Sequence, residues 1–408
     1  MRAWIKPIRT LIAATALFCI SNPTNVLADP LDVWHTNATF SASGIAYGNG
    51  KFVAVSGTSL QVSPDGVSWT QYISPPVLHY EGIAFGGGIF MAYGYPVSTN
   101  SSGPCYILQS SDGLTWSKVN ETPSPIRGAT YGNGRFVFVG DQIISTTLNP
   151  FQWSEFQLAL SLGGVTFGAG RFVAVSADTS PSAYILSSTD TLIWRYDYSQ
   201  TSGETLRTVA YGNGKFVATW RTNYSYGGFN YSDQGFLTSS NLASWNRVVL
   251  TDYTYQSSDA SGIAFGGGYF IGAAPYGRIS PYGIGKTYTS QNGLDWANRV
   301  GADCANVFCF GVGTFVASGD PPNRLLQSDV FAPSTNPPPS YLSIASYPGV
   351  TIEGIEGKTY RIEYSTNLAP GSTWLALTNI SLPSSTYLWV DASSPTLGRR
   401  FYRAVLIE

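Results

Sequence analysis

At five places in this chain an aspartate or asparagine stands four residues ahead of a tryptophan: Asp65 and Trp69, Asp112 and Trp116, Asp190 and Trp194, Asn241 and Trp245, Asn292 and Trp296. Taken singly, each aspartate is a candidate acid or base. Repeated along the chain behind a serine, they read instead as turn formers, because a short Asp or Asn side chain hydrogen-bonds the backbone two residues on. Other chemistry-bearing residues stand alone. Arg127 and Arg207 are suited to holding a carboxylate or sulfate, unless Glu81 neutralises one of them. Arg221, Tyr224, Tyr226, Phe229, Tyr231 and Asp233 crowd one stretch, and Tyr276, Arg278, Tyr282 and Lys286 another. Aromatic rings beside hydrogen-bonding groups suit sugars, whose C–H faces stack while their hydroxyls find polar partners. Equally, such tyrosines pack on one another to hold long loops.

Several chemistries are excluded. The chain has two histidines, His35 and His79, so a histidine-rich metal site is ruled out and a Ser-His-Asp site would have to use one of them. There is no Gly-x-Ser-x-Gly elbow, no Cys/His cluster at zinc spacing, and no Gly-x-Gly-x-x-Gly or Walker loop. No catalytic residue, metal or cofactor is assigned. Charged residues make up 11% of the chain, the net charge is −2 and the pI about 5.7, which leaves no electrostatic footprint for nucleic acid.

The elements that must position these residues are announced by a second phrase. It occurs as Tyr47-Gly-Asn-Gly-Lys-Phe52, Phe85-Gly-Gly-Gly-Ile-Phe90, Tyr131-Gly-Asn-Gly-Arg-Phe136, Phe167-Gly-Ala-Gly-Arg-Phe172, Tyr211-Gly-Asn-Gly-Lys-Phe216, Phe265-Gly-Gly-Gly-Tyr-Phe270 and Phe310-Gly-Val-Gly-Thr-Phe315. The mean spacing is about 44 residues, the period of a four-stranded propeller blade. Each copy reads as apolar strand, tight two-residue turn, apolar strand. The predicted fold class is therefore all-β: a seven-bladed β-propeller over 29–331, followed by a small β-sandwich-like, immunoglobulin- or fibronectin-like module.

The seventh copy lacks its outer tryptophan strand, and Leu31-Asp-Val-Trp34-His-Thr near the start of the chain looks like that strand. Residues 31 to 36 are expected to close the ring, sealing an edge that would otherwise invite aggregation. In a meander the Gly turns and the Asp turns share one end. The other end carries the connectors and the variable loops between second and third strands, where specificity is usually placed. Aligning the copies four residues ahead of the phrase places Ser43, Glu81, Arg127, Gly163, Arg207, Ser261 and Asn306 around that mouth of the channel. A ligand is expected there, between the loops of the fifth and sixth copies.

With its serine, its turn residue and its tryptophan, the five-fold motif resembles the Asp-box turn of sialidase-like secreted β-propellers, over residues 44 to 331. The resemblance implies that the carboxylate caps turn amides and that the tryptophan packs into the blade. The motif departs from the family pattern by one residue between Asp and Gly. Sialidases use arginines for a carboxylated sugar, but a third arginine and an Arg-Ile-Pro type signature near the first blade are missing here, and Arg278-Ile-Ser-Pro281 stands in a different blade. A non-catalytic binding protein is therefore expected, with a glycan-cleaving enzyme (sialidase-like glycosidase or polysaccharide lyase) or a cell-surface interaction scaffold as alternatives.

Arg2, Lys6 and Arg9 followed by the apolar run Leu11 to Ile20 and by Val26-Leu-Ala28 read as a cleaved export signal over 1–28. The run has ten residues where a membrane span needs about 20. The expected location is secreted or cell-surface, periplasmic or extracellular, with a glycan or protein as partner, no nucleic acid, no membrane span, and a monomeric state. Cys105, Cys304 and Cys309 remain in the mature chain, an odd number. The last two, on an extended strand, would lie about 16 Å apart, too far to pair unless the chain turns between them. Residues 332–340 are proline-rich, as in a stiff linker. From 341 to 408 apolar and polar residues alternate, as in Tyr360-Arg-Ile-Glu-Tyr364, and the phrase Gly357 to Leu368 with Trp374 and a terminal Arg-Phe-Tyr-Arg resembles short C-terminal modules of secreted bacterial proteins.

Overall fold

The computed structural model describes residues 29–331 apart from 74–75, 100–102, 150–151, 178–181, 201–202, 227–228, 251–253, 256–261, 275–285, 300–304 and 320–322. Beyond these it describes 341–344, 349–367, 372–390 and 401–407. The export signal, Tyr276, Arg278, Tyr282, Ser261, Cys304 and the linker lie outside the described residues. Every described element is a strand, and no helix is long and apolar enough to cross a membrane.

Each copy of the glycine phrase joins two antiparallel strands. In the first, Gly44–Gly48 pairs with Lys51–Ser56, Tyr47 opposite Phe52. The turn residues Asn49 (φ 47°) and Gly50 (φ 72°) both take the left-handed conformation that a two-residue hairpin turn of this twist demands. Two further antiparallel strands complete the unit, Ser59–Ser63 and Thr70–Tyr72. The same order recurs down the chain in four-stranded sheets, the fifth enlarged by Thr254–Tyr255. In the last sheet the fourth strand is Trp34–Ala38 from the start of the chain, Trp34 opposite Ser328 and His35 opposite Gln327. Closure is anchored beyond the ladder: Leu31 is fully buried, and Arg299 of the sixth sheet holds Asp29 at 2.7 Å and Asp32 at 2.6 Å.

The glycine after each phrase's first aromatic serves the ring rather than the turn. A Cβ built on Gly48 would lie 2.3 Å from the Phe85 ring of the next copy. Gly86 stands in the same relation to Tyr131, Gly132 to Phe167, Gly168 to Tyr211, Gly212 to Phe265, Gly266 to Phe310 and, returning to the start, Gly311 to Tyr47. An aromatic seated on a bare backbone, sheet after sheet, sets how closely the innermost strands approach and closes the circle. The phenylalanine ending each phrase fills the core between sheets.

In each of the five Asp or Asn turns the side chain caps the backbone of its own turn. Asp112 Oδ1 accepts from the amides of Leu114 and Thr115, both at 2.8 Å, Ser110 Oγ accepts from Gly113 N, and Trp116 Nε1 donates to Gly113 O. Asn241 and Asn292 accept from the equivalent amides through their Oδ1 atoms. The third copy carries Trp153 instead, packed on Phe138 at 5.6 Å between ring centroids.

Among the described residues from 341 onward, two three-stranded sheets share a core. Val350 and Ile352 come from one, Tyr360 and Ile362 from the other.

Candidate functional site

The inner-strand positions picked out by aligning the repeats are places where the ladder slips. Register shifts fall at Glu81, Arg127, Gly163, Arg207–Thr208 and Asn306. An extra residue inserted into one strand breaks the in/out alternation and re-aims its side chain. Glu81 is accordingly exposed between buried Tyr80 and Gly82, and Arg127 between buried Ile126 and Gly128.

Two of these bulges open on one cleft of about 480 Å³, lined by Glu81, Tyr95, Gly103, Cys105, Pro125, Ile126, Arg127 and Asp141. It lies at the connector end of the second and third sheets. Glu81 comes from the inner strand Leu78–Gly86 and Tyr95 from its neighbour Ile89–Pro96. Cys105 opens the strand Cys105–Ser110. Arg127 lies on Ile126–Gly132 of the next sheet, and Asp141 follows Arg135–Gly140 in the turn toward the third strand. The amide of Asp141 donates to Pro125 O at 3.0 Å, which brings its side chain to the arginine two residues beyond that proline.

The arginine is answered by this aspartate. Arg127 Nε donates to Asp141 Oδ1 at 2.5 Å and Nη2 to Oδ2 at 2.9 Å, a two-pronged pair. The hydrogen-bonded partner of Arg127 is thus Asp141, from a different strand connection, rather than Glu81. Glu81 remains within electrostatic reach. Although the side chain reaches solvent, partial desolvation by the strands around it raises its carboxyl above the ordinary range, while Arg127 and then His79 oppose that shift. The His79 ring packs 5.0 Å from that of Tyr95, its register partner. Burial pushes the Cys105 thiol up to about 11, so it stays protonated at neutral pH and is no nucleophile. Cys309, half-buried on the seventh inner strand, is pushed up to about 12 for the same reason.

Arg207 stands apart from this cleft. It is half-buried two inner strands further round, with its carbonyl against Gly163 and Gly164. Residues 221–226 and 229–234, expected in a loop, extend the sheet instead: Lys215–Tyr226 pairs with Phe229–Ser239, with Arg221 opposite Gln234, Tyr224 opposite Tyr231 and Tyr226 opposite Phe229. The physical reason is that alternating Tyr, Thr and Ser residues satisfy a ladder better than a loop, and Thr254–Tyr255 pairs with Tyr231 and Ser232 to widen it. The fifth-copy half of the expected site is thus a projecting ribbon.

Asp141 and Tyr95 were not picked out from the sequence. A signal for Asp141 existed, since the turn between second and third strands must lie at the same end as the start of the inner strand. Among the described residues no group of three or more His, Cys, Asp or Glu side chains is placed to hold a metal ion.

No family model matches the chain, and no curated protein does. Solved structures do. One is a crystal structure of the mitotic checkpoint complex, 8% identical, TM-score 0.50, over 81% of this chain and 100% of that one. Saccharomyces cerevisiae Sqt1 matches at 8% identity and TM-score 0.45, over 73% and 98%. A computationally designed protein, Ika8, matches at 10% and 0.44, over 72% and 98%. At these identities likeness concerns the fold alone, a β-propeller of four-stranded antiparallel sheets.

Proposed function

We propose that this chain is an exported, seven-bladed β-propeller with a C-terminal β-sandwich-like module, and that it binds an extracellular glycan without cleaving it. The observation that carries this reading is the cleft between the second and third sheets. It combines an aromatic ring, Tyr95, with the polar side chains of Glu81, Arg127 and Asp141. A recess of this size, at the end where the connectors gather, matches one or two sugar rings. The chain-start residues that read as an export signal agree with an extracellular ligand.

Hydrolysis is the second reading, because Asp141 joins Glu81 in the cleft and glycosidases use paired carboxylates. Both oxygens of Asp141, however, are engaged by Arg127, which leaves Glu81 without a free partner carboxylate. A glycan array probed with the purified chain tests the binding reading. Tyr95→Ala is expected to weaken the bound glycan by about 1 to 2 kcal/mol, the worth of a partly buried aromatic contact. Binding to no glycan would overturn the proposal. Turnover of fluorogenic glycosides or acidic polysaccharides, abolished by Glu81→Gln, would replace binding with catalysis.

A further inference from the structure

The charge balance of the cleft narrows the ligand. Among the described residues, its charged lining comprises two carboxylates and one guanidinium. The guanidinium and the Asp141 carboxylate answer each other through two hydrogen bonds. Glu81 is left over: among the described residues it forms no hydrogen bond and no ion pair, and the guanidinium of Arg127 acts on it only at a distance. Counted over the described residues, the recess therefore presents one surplus negative charge at the residue that the bulge turns outward.

Three classes of sugar meet this surface differently. An acidic sugar would have to break the Arg127–Asp141 pair or sit against a surplus carboxylate, and either is costly. A neutral sugar would cover Glu81 and strip its water while offering only hydroxyls in return. A sugar carrying a protonated amine supplies the missing charge and donates charge-assisted hydrogen bonds to the carboxylate. Tyr95, half-buried on the cleft wall, adds a ring face for the sugar or its ammonium group.

We propose that this cleft binds an amine-bearing sugar, such as a glucosamine residue of an unacetylated chain, with Glu81 as the receptor of the ammonium group. The proposal rests on the glycan-binding reading above. Calorimetric titration of the purified chain with a β-1,4-glucosamine tetramer, its fully N-acetylated counterpart and a galacturonic acid tetramer tests it. The glucosamine tetramer is expected to bind best, with affinity falling as salt is added. Glu81→Gln, which keeps the shape and removes the charge, is expected to weaken that probe about tenfold or more, as for loss of one charge-assisted hydrogen bond. Equal or tighter binding of the acetylated or acidic tetramer, or no effect of Glu81→Gln, would overturn the amine assignment and leave the glycan reading standing. Binding of none of the three probes, together with an empty array, would overturn both.

Discussion

Asp112 shows how one side chain couples a turn to pH. Its carboxylate accepts two backbone amides, which hold its pKa down to about 2 from an ordinary 3.8. A folded-state pKa below the unfolded value stabilises the fold above the unfolded value and stops doing so as pH falls through the folded one. This contribution is therefore complete above pH 4 and is lost between about 4 and 2. Asn241 and Asn292 make the same contacts without a charge. Asp112→Asn, which keeps the contacts and loses the charge, is thus expected to be slightly less stable than the parent at pH 7 and to lose less melting temperature than the parent on acidification. Asp112→Ala should cost about 1 kcal/mol at pH 7, as for an N-cap oxygen removed. A second residue carries strain instead: Val312 takes φ 46° at a turn position where other copies have Asn49, Asn133 and Asn213. Left-handed backbone costs a β-branched residue about 1 to 2 kcal/mol and asparagine less, so Val312→Asn should raise the denaturation midpoint, and an unchanged midpoint would argue against the strain.

Between elements, the two glycines of one phrase have different duties, and substitution separates them. At Gly132 a Cβ would lie 2.0 Å from Phe167, whereas at Gly134, φ +74°, nothing stands within 4 Å. Gly134→Ala should cost about 1 kcal/mol through backbone strain. Gly132→Ala should cost about 3 kcal/mol or more, because an inner strand must retreat from its neighbour; equal losses in urea denaturation would show that the aromatic seats do not set the spacing. Neighbouring sheets are also tied at their turns. Asn49 Nδ2 donates to Gly88 O and Ser111 O and Lys51 Nζ to Asp112 O, and Asn213 and Lys215 repeat the pattern onto Gly268, Gln291 and Asn292. A buried acidic group ties two outer strands: Glu204 accepts from Tyr198 at 2.9 Å and pairs with Arg247, which lies over the Trp220 ring.

For the whole molecule, the circle depends on the start of the chain. Deleting residues 29–40 removes the strand paired with Arg324–Ser328, the buried Leu31 and both acidic partners of Arg299. An open edge and an emptied core position should lower the melting temperature sharply and promote aggregation. Melting unchanged from the parent would mean that the ring does not need this closure.

Period, turn chemistry, the closing strand and the end at which inner strands begin were all legible in the repeats, because each depends on residues close in sequence or on copies that can be laid over one another. The role of the Asp turns was legible for the same reason: Ser110, Asp112, Gly113 and Trp116 satisfy each other within a few residues. The candidate site was half legible. Alignment placed Glu81 and Arg127 at equivalent positions, but only the folded sheets decide that a bulge turns each outward and that Arg127 meets Asp141 rather than Glu81. That choice rests on where two strand ends, fourteen residues apart for one partner and forty-six for the other, arrive within hydrogen-bond range, and pairing at that range falls off steeply with distance and angle. Spacing along the chain does not encode it; the register of neighbouring strands does.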